Sequence, residues 1–312
     1  MRILVLGGYG AVGRPLVAEL RRAGDTVVVA GRDPARADIA VDLTDPGLHS
    51  YRRAVEGIDV VVNAAGVEDP RLAEQAAACG AAFADITAST EYVALLEKSM
   101  PDRPVIVSVG LAPGLTNLLA AAVHARSPEP IDIAVLLGAG EPHGVAATDW
   151  TYRLLGRTFR SGGERVRNYT RPRVFTLPGH GRRRLVRADF SDQHVLTRDL
   201  GVRVRTHFAL DSRVATAALA LATWIPGAAA MPRGLPMPGA DEWIVLARTP
   251  SGHLAWARGR GQSRATALLT VAAIRASVDL APGVHHLHNV LTLADLSSIP
   301  DLEIGTSPVA VP

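Results

Sequence analysis

The chain has a single cysteine, Cys79, so no internal disulfide can form and a cysteine-built zinc site is excluded. Lysine is equally scarce: Lys98 is the only one, and arginine supplies the rest of the 33 basic residues. Against 30 acidic residues this leaves a formal charge of only +3, and no aromatic-rich RNA motif or zinc-finger spacing accompanies it, so no nucleic-acid partner is expected. Aromatics make up 4% of the sequence, which points to a core of small aliphatic side chains. The longest apolar run, Val214–Met231, is interrupted by Thr216, Thr223, Pro226 and Gly227 and falls short of the roughly 20 residues that cross a bilayer. Met1–Val5 runs straight into a strand pattern with no leader-like charged region. The expectation is a cytoplasmic protein with no membrane partner.

What the sequence does have is alternation. Apolar runs at Arg2–Leu6, Thr26–Ala30, Ile39–Val41, Asp59–Asn63, Ala82–Ile86 and Val105–Val109 are separated by helical patterns at Ala11–Arg22, Pro70–Ala78 and Glu91–Lys98. Continuous apolar strands between helices predict an α/β class, a doubly wound parallel sheet covered on both faces. A further helix, Leu115–Ala125, follows Pro113-Gly114. Then the rhythm changes. Ile131–Gly138 reads as a strand and Ala146–Leu155 as a helix, while Glu242–Arg248 and His253–Arg258 flank a hairpin turn ahead of a helix at Arg264–Val278. This half predicts a second, α+β domain with an antiparallel sheet. The boundaries read from the pattern are residues 1–125 for the first domain and 126–285 for the second, which holds the substrate and a dimer face. The tail, 286–312, is expected to return to the first domain. Residues 165–187 carry Arg165, Arg167, Arg171, Arg173, Arg182, Arg183, Arg184 and Arg187 with little periodicity, and read as a solvated loop or an anion-binding edge.

The strongest motif is Gly7-Gly8-Tyr9-Gly10-Ala11-Val12-Gly13, between the first strand and the first helix. Glycines there permit a tight turn and let backbone N–H groups approach a pyrophosphate at a helix N-terminus. The context, strand then loop then helix, is the one a dinucleotide-binding Rossmann unit requires. An acidic residue at the tip of the second strand commonly binds the ribose of NAD. Here the tip reads Gly31-Arg32, and an arginine suits the 2′-phosphate of NADP(H), although Asp33 follows directly. Asp42-Leu43 falls where the adenine is flanked, and Asn63-Ala64-Ala65-Gly66 where small residues let the nicotinamide half pass.

Ligands of an open α/β sheet sit at the carboxyl ends of its strands. That brings Asp85, Thr87 and Glu91 forward, with Asp85 or Glu91 as a proton donor, against the alternative that they cap turns and a helix. Pro113, Gly114 and Asn117 open the next helix, and in the second half Asp149, Trp150, Arg153 and Gln193 are candidate substrate contacts, Asp192-Gln193 lying in a polar turn. Asp149 and Arg153 could equally form a surface ion pair beside a core tryptophan. His285, His286 and His288 lack a matching carboxylate pattern, so no metal is expected. Cys79 reads as a small buried residue at a helix end. A Tyr-x-x-x-Lys catalytic pair is absent, because the residue four before Lys98 is Ala94.

In order along the chain, Gly7–Gly13, Gly31-Arg32, Val61–Gly66, Cys79-Gly80 with Ala84–Thr87, and Gly110–Asn117 resemble the saccharopine dehydrogenase (saccharopine reductase-like) family, as do, more loosely, Phe190–Gln193 and Gly261–Thr266. The resemblance implies an NADP-binding Rossmann domain, a substrate domain, and imine or secondary-amine chemistry on a small molecule. The leading expectation is an NADPH-dependent reductase of a C=N bond, acting as a homodimer. The alternatives are reduction of a C=C or C=O bond, with a carrier protein as a further partner, and an NADPH-binding sensor without turnover.

Overall fold

The computed structural model describes residues 1–141, 145–230 and 239–308. The chain divides into two compact units, one formed by Met1–Gly110 with Ser263–Leu291, the other by Leu111–Gln262 with Thr292–Pro312.

The first unit begins β1 (Arg2–Leu6), α1 (Gly13–Arg22), β2 (Thr26–Gly31), β3 (Ile39–Ala40), α2 (His49–Ala54), β4 (Val60–Asn63), α3 (Arg71–Ala78), β5 (Ala82–Asp85), α4 (Thr90–Leu96) and β6 (Pro104–Val107). The second unit follows with α5 (Thr116–His124), β7 (Ile131–Leu137), α6 (Val145–Arg153), β8 (Thr158–Ser161), β9 (Glu164–Arg167), β10 (Thr170–Leu177), β11 (Gly181–Arg187), α7 (Ser191–Leu200), β12 (Val204–Leu210), α8 (Arg213–Ala222), β13 (Glu242–Arg248) and β14 (His253–Arg260). The chain then gives α9 (Gln262–Ala276), β15 (Gly283–His286) and α10 (Leu287–Val290), and ends in β16 (Glu303–Pro308).

In the first unit seven strands lie in the order β15-β6-β5-β4-β1-β2-β3, every pair parallel. The reversal at β1, with β2 on one side and β4 on the other, is the switch point of a doubly wound sheet. The core packs Ile3, Val5, Val29, Val60 and Val62 against Leu16 and Leu20 of α1 and Ala267 and Ile274 of α9. Asp25 holds this arrangement together: it accepts from the N-terminal amine at 3.1 Å and pairs with Arg275 of α9. The Arg275 guanidinium keeps its carboxyl below the ordinary range.

The second unit has a seven-stranded sheet ordered β10-β11-β12-β7-β13-β14-β16. It is mixed rather than purely antiparallel, because β12 and β7 run parallel over Val204–Leu210 and Ile131–Leu137. Two expectations change here. The arginine-rich segment is not a loop: β9, β10 and β11 run through it, and Phe175, Leu177 and Leu185 turn inward to the core while Arg165, Arg171, Arg173, Arg182 and Arg184 are exposed and Arg187 is buried. Asp192 and Gln193 lie in the first turn of α7, not in a free turn.

The domain boundaries shift as well. Residues 111–125 belong to the second unit, and the first is completed by 263–291, since β15 pairs with β6. The tail does not end on the first sheet, because β16 pairs antiparallel with β14; residues 309–312 lie outside the described residues. Cys79 caps the end of α3 and is exposed, not buried. Among the described residues no helix is long and apolar enough to cross a membrane; Met231, the end of the apolar run, lies outside them.

Candidate active site

The turn from β1 to α1 is shaped by glycine at each step. Gly7 adopts φ +73, and a Cβ there would stand 2.7 Å from the carbonyl oxygen of Ala64. Its N–H donates to Ala30 O at 2.9 Å, while its own oxygen accepts from Gly10 N at 2.8 Å, closing the turn. A Cβ on Gly8 would press on Val29 at 2.9 Å, and one on Gly13 would overlap the backbone of Gly7 and Gly8, so α1 is seated directly on the loop. Gly10 differs: a Cβ there would meet only Gly7 O, at 3.0 Å, leaving open space beyond. Val12 is the N-cap of α1, no side chain caps its first turn and no acidic residue lies in it. Ala11 and Val12 are half-buried beside this free helix end. A helix N-terminus without a side-chain cap, next to an open glycine face, fits a pyrophosphate.

At the end of β2 a side chain on Gly31 would run into the Tyr9 ring, which lies over it. Arg32 is exposed and close enough to Asp42 to help hold that carboxyl below its ordinary range, chiefly the work of Thr44 donating to it. Asp42 is exposed and engaged in its own turn, and Leu43 is half-buried. Glycine, helix end and arginine thus stand at the switch point where the fold places a phosphorylated dinucleotide.

At the ends of β4 and β5 the structure gives the candidates other roles. Asn63 is fully buried; its Nδ2 donates to Val67 O at 2.8 Å and to Asp85 Oδ2 at 2.7 Å, bracing the loop of Ala64, Ala65 and Gly66 rather than facing outward. Asp85 is 2% exposed and also accepts from Thr87 N at 2.7 Å and the Tyr92 hydroxyl at 3.0 Å. Burial pushes its carboxyl above the ordinary range, against the pull of those donors. As a direct proton donor Asp85 is therefore poorly placed: both oxygens are engaged inside the fold. Glu91 is exposed in the first turn of α4, where Ser89 is the N-cap. Thr87 has its Oγ1 buried with no partner. Tyr92, which the sequence did not single out, joins α4 to this cluster.

A second, largely buried group, its glutamate half-buried, lies toward the β15 edge of the same unit. The Ser108 hydroxyl is 3.1 Å from His286 Nδ1, and His286 Nε2 is 2.6 Å from Glu97 Oε1. Ser108 has φ +59 and is buried. The three residues fasten β15 to β6 and α4, and their separations of 178 and 189 positions left nothing to read in sequence.

In the second unit Pro113 and Gly114 are buried, and Gly114 N donates to Asn117 Oδ1 at 2.9 Å. Asn117 is enclosed with its Nδ2 unpartnered. Gln193 is also enclosed: its Oε1 accepts from Arg187 Nη2 at 2.6 Å and its Nε2 donates to Ala188 O at 3.0 Å. Both were expected to contact substrate, and in this structure both serve the interior instead. Between them lies Asp192, fully buried, accepting from the Thr116 hydroxyl at 2.9 Å and the Thr206 hydroxyl at 2.7 Å. Burial raises its carboxyl. The same interior holds Arg187, whose burial lowers it to about 10, and His207, lowered to about 3 by burial and then by Arg187. Asp149, Trp150 and Arg153 lie on α6, with the Trp150 ring 4.6 Å from that of Phe190 and Arg153 exposed.

Residues 3–105 match the model of the NAD dependent epimerase/dehydratase family. That match names a different family from the one the motifs resemble. No curated protein matches the chain. Among solved structures, an engineered D-amino acid dehydrogenase bound to NADP+ is similar over 96% of both chains, with 14% identity and a TM-score of 0.51. A second structure of the engineered D-amino acid dehydrogenase gives the same values. A short-chain dehydrogenase/reductase superfamily protein from Agrobacterium tumefaciens with bound NAD shares 26% identity over 34% of this chain and 38% of its own, at a TM-score of 0.24, and carries no weight for the fold. The whole-length likeness establishes the architecture: a parallel Rossmann-type sheet and a second, mixed sheet in one chain.

Proposed function

We propose that the chain is an NADP(H)-dependent oxidoreductase of the saccharopine dehydrogenase type that reduces an imine or oxidises the corresponding amine. The observation that carries the reading is the glycine-lined turn at the β1–α1 switch point, open at Gly10 and flanked by Arg32. When bound, NADPH would supply the hydride for the carbon of the C=N bond. The chain's own share is to bind and orient: the start of α1, without a side-chain cap, would face the pyrophosphate, and Asn63, locked by Asp85, fixes the loop that presses on Gly7. The proton for the nitrogen comes from an exposed source, solvent or Glu91, because Asp85 is enclosed.

Imine over ketone follows from what is missing. No tyrosine–lysine pair is available to protonate a carbonyl oxygen, whereas an imine nitrogen is basic and is protonated without help. The amino acid dehydrogenase of the same fold, whose substrates carry an amine, supports the same direction.

The test supplies NADPH with a panel of aldehydes and keto acids, each with and without an amine. Oxidation of NADPH that depends on the amine is expected. Turnover of ketones or enoyl thioesters alone, unchanged by amine, overturns the imine reading in favour of C=O or C=C reduction. Firm NADPH binding with no turnover on any class makes the protein a sensor.

A further inference from the structure

The segment after β2 does not trail off into solvent; it folds back onto the glycine loop. Asp33 N donates to the Tyr9 hydroxyl at 3.2 Å, and both Arg36 N and Ala37 N donate to Asp33 O at 3.1 Å. This turn carries Arg36 to Tyr9: its guanidinium carbon sits 4.3 Å from the ring centroid, and Nη2 donates to Tyr9 O at 3.3 Å. The Asp33 carboxylate meanwhile accepts from Ala35 N at 3.0 Å through Oδ1, within its own turn. A second cation besides Arg32 thus stands on the Tyr9 ring beside Gly31.

We infer that Arg36, stacked on Tyr9, is a second 2′-phosphate ligand, acting with Arg32 to make the site selective for the phosphorylated dinucleotide. The inference rests on the proposed dinucleotide site. Its physical basis is threefold. A guanidinium laid on an aromatic face is pre-organised and loses little side-chain freedom on binding. Guanidinium–phosphate hydrogen bonds are charge-assisted and bidentate. Both arginines are exposed, so neither need leave a buried partner to take up the phosphate.

Calorimetric titration of the full chain with NADP+, NAD+, 2′,5′-ADP and 5′-AMP tests it. Wild type should prefer 2′,5′-ADP to 5′-AMP by about a hundredfold, about tenfold from each arginine, at low salt. Arg36→Ala should lose about tenfold for 2′,5′-ADP and NADP+ with 5′-AMP and NAD+ unchanged, Arg32→Ala should do the same, and Arg36→Lys should recover part of the loss. If Arg36→Ala weakens all four ligands alike, Arg36 only braces the loop and the inference fails. It fails equally if the variant keeps the wild-type preference, or if wild type has none while still binding NAD+. Binding of none of the four by wild type overturns the dinucleotide site itself, and the inference with it.

Discussion

Among the described residues each unit encloses one carboxylate that no cation contacts directly, and the two are built differently. Asp85 ends a strand of a parallel sheet, and its partners are an amide, a backbone N–H and a phenol. Asp192 sits in the first turn of a helix, and its side-chain partners are two threonine hydroxyls. In a parallel sheet the strand ends converge on surface loops, so the Asp85 network reaches through Asn63 to the loop beside Gly7, next to the proposed dinucleotide site. In the mixed sheet the Asp192 network stays inside, beside Arg187 and His207, and shapes a core. The lesson is that enclosure alone does not mark a functional acid; what its donors are attached to decides.

The largest effect should come from the glycine turn. Gly10→Val fills open space and should lower dinucleotide affinity roughly a hundredfold or more with the melting temperature unchanged. Gly13→Val, one turn of chain away, drives a side chain into Gly7 and Gly8 and should destabilise the fold by about 3 kcal/mol. Calorimetric binding and thermal melts on both variants separate the two roles; equal melting temperatures would mean that α1 does not rest on the loop.

The interior of the second unit predicts a pH dependence. His207 takes up a proton near 6.5 when unfolded but only near 3 when folded. Between those values the unfolded chain binds more protons, so stability is fully present above about 6.5 and falls as pH drops through the window. The slope is up to about 1.4 kcal/mol per pH unit. Urea midpoints from pH 7.5 to 5 should show it, and His207→Gln should flatten it. An unchanged slope in that variant would place the titrating group elsewhere.

A smaller effect tests the comparison itself. In Asp192→Asn the threonine hydroxyls can turn from donor to acceptor, so the change should cost under about 1 kcal/mol. In Asp85→Asn the new amide must face a donor whichever way it turns, either the Thr87 N–H or the Asn63 amide. That should cost about 1–3 kcal/mol and weaken dinucleotide binding as the 63–67 loop loosens. Equal losses for the two variants would erase the distinction between the networks.

These contrasts explain what could be read from sequence. Six strands of the first sheet were legible because they are apolar runs, and β1 is found at Arg2–Leu6 as expected, whereas the seventh, β15, with its Gly283 and two histidines, was not. The glycine turn was legible because backbone geometry restricts it to one residue type. The strands β9–β11 were not, because outward arginines outnumber the inward Phe175, Leu177 and Leu185 and hide the period of two. Tyr92, Ser108 and Glu97 were invisible because each acquires its partner through topology. Asp85 was legible as a position and in part as a role: the turn-capping alternative is seen in the Thr87 N–H bond, whereas the bonds from Asn63 and Tyr92 that make it a hub depend on the fold.

The pairing of β15 with β6 bears on how the protein is made. The dinucleotide unit is not contiguous in the message: its first 110 residues leave the ribosome well before residues 263–291 exist. Until those arrive, β6 is an unpaired edge and the core face awaiting Ala267 and Ile274 lies bare. The nascent chain must carry that sticky half-sheet while the inserted unit is being translated. A recombinant fragment ending at Gly110 would inherit the same exposed edge, so the excisable module is residues 1–110 joined to 263–291, not the N-terminal third alone.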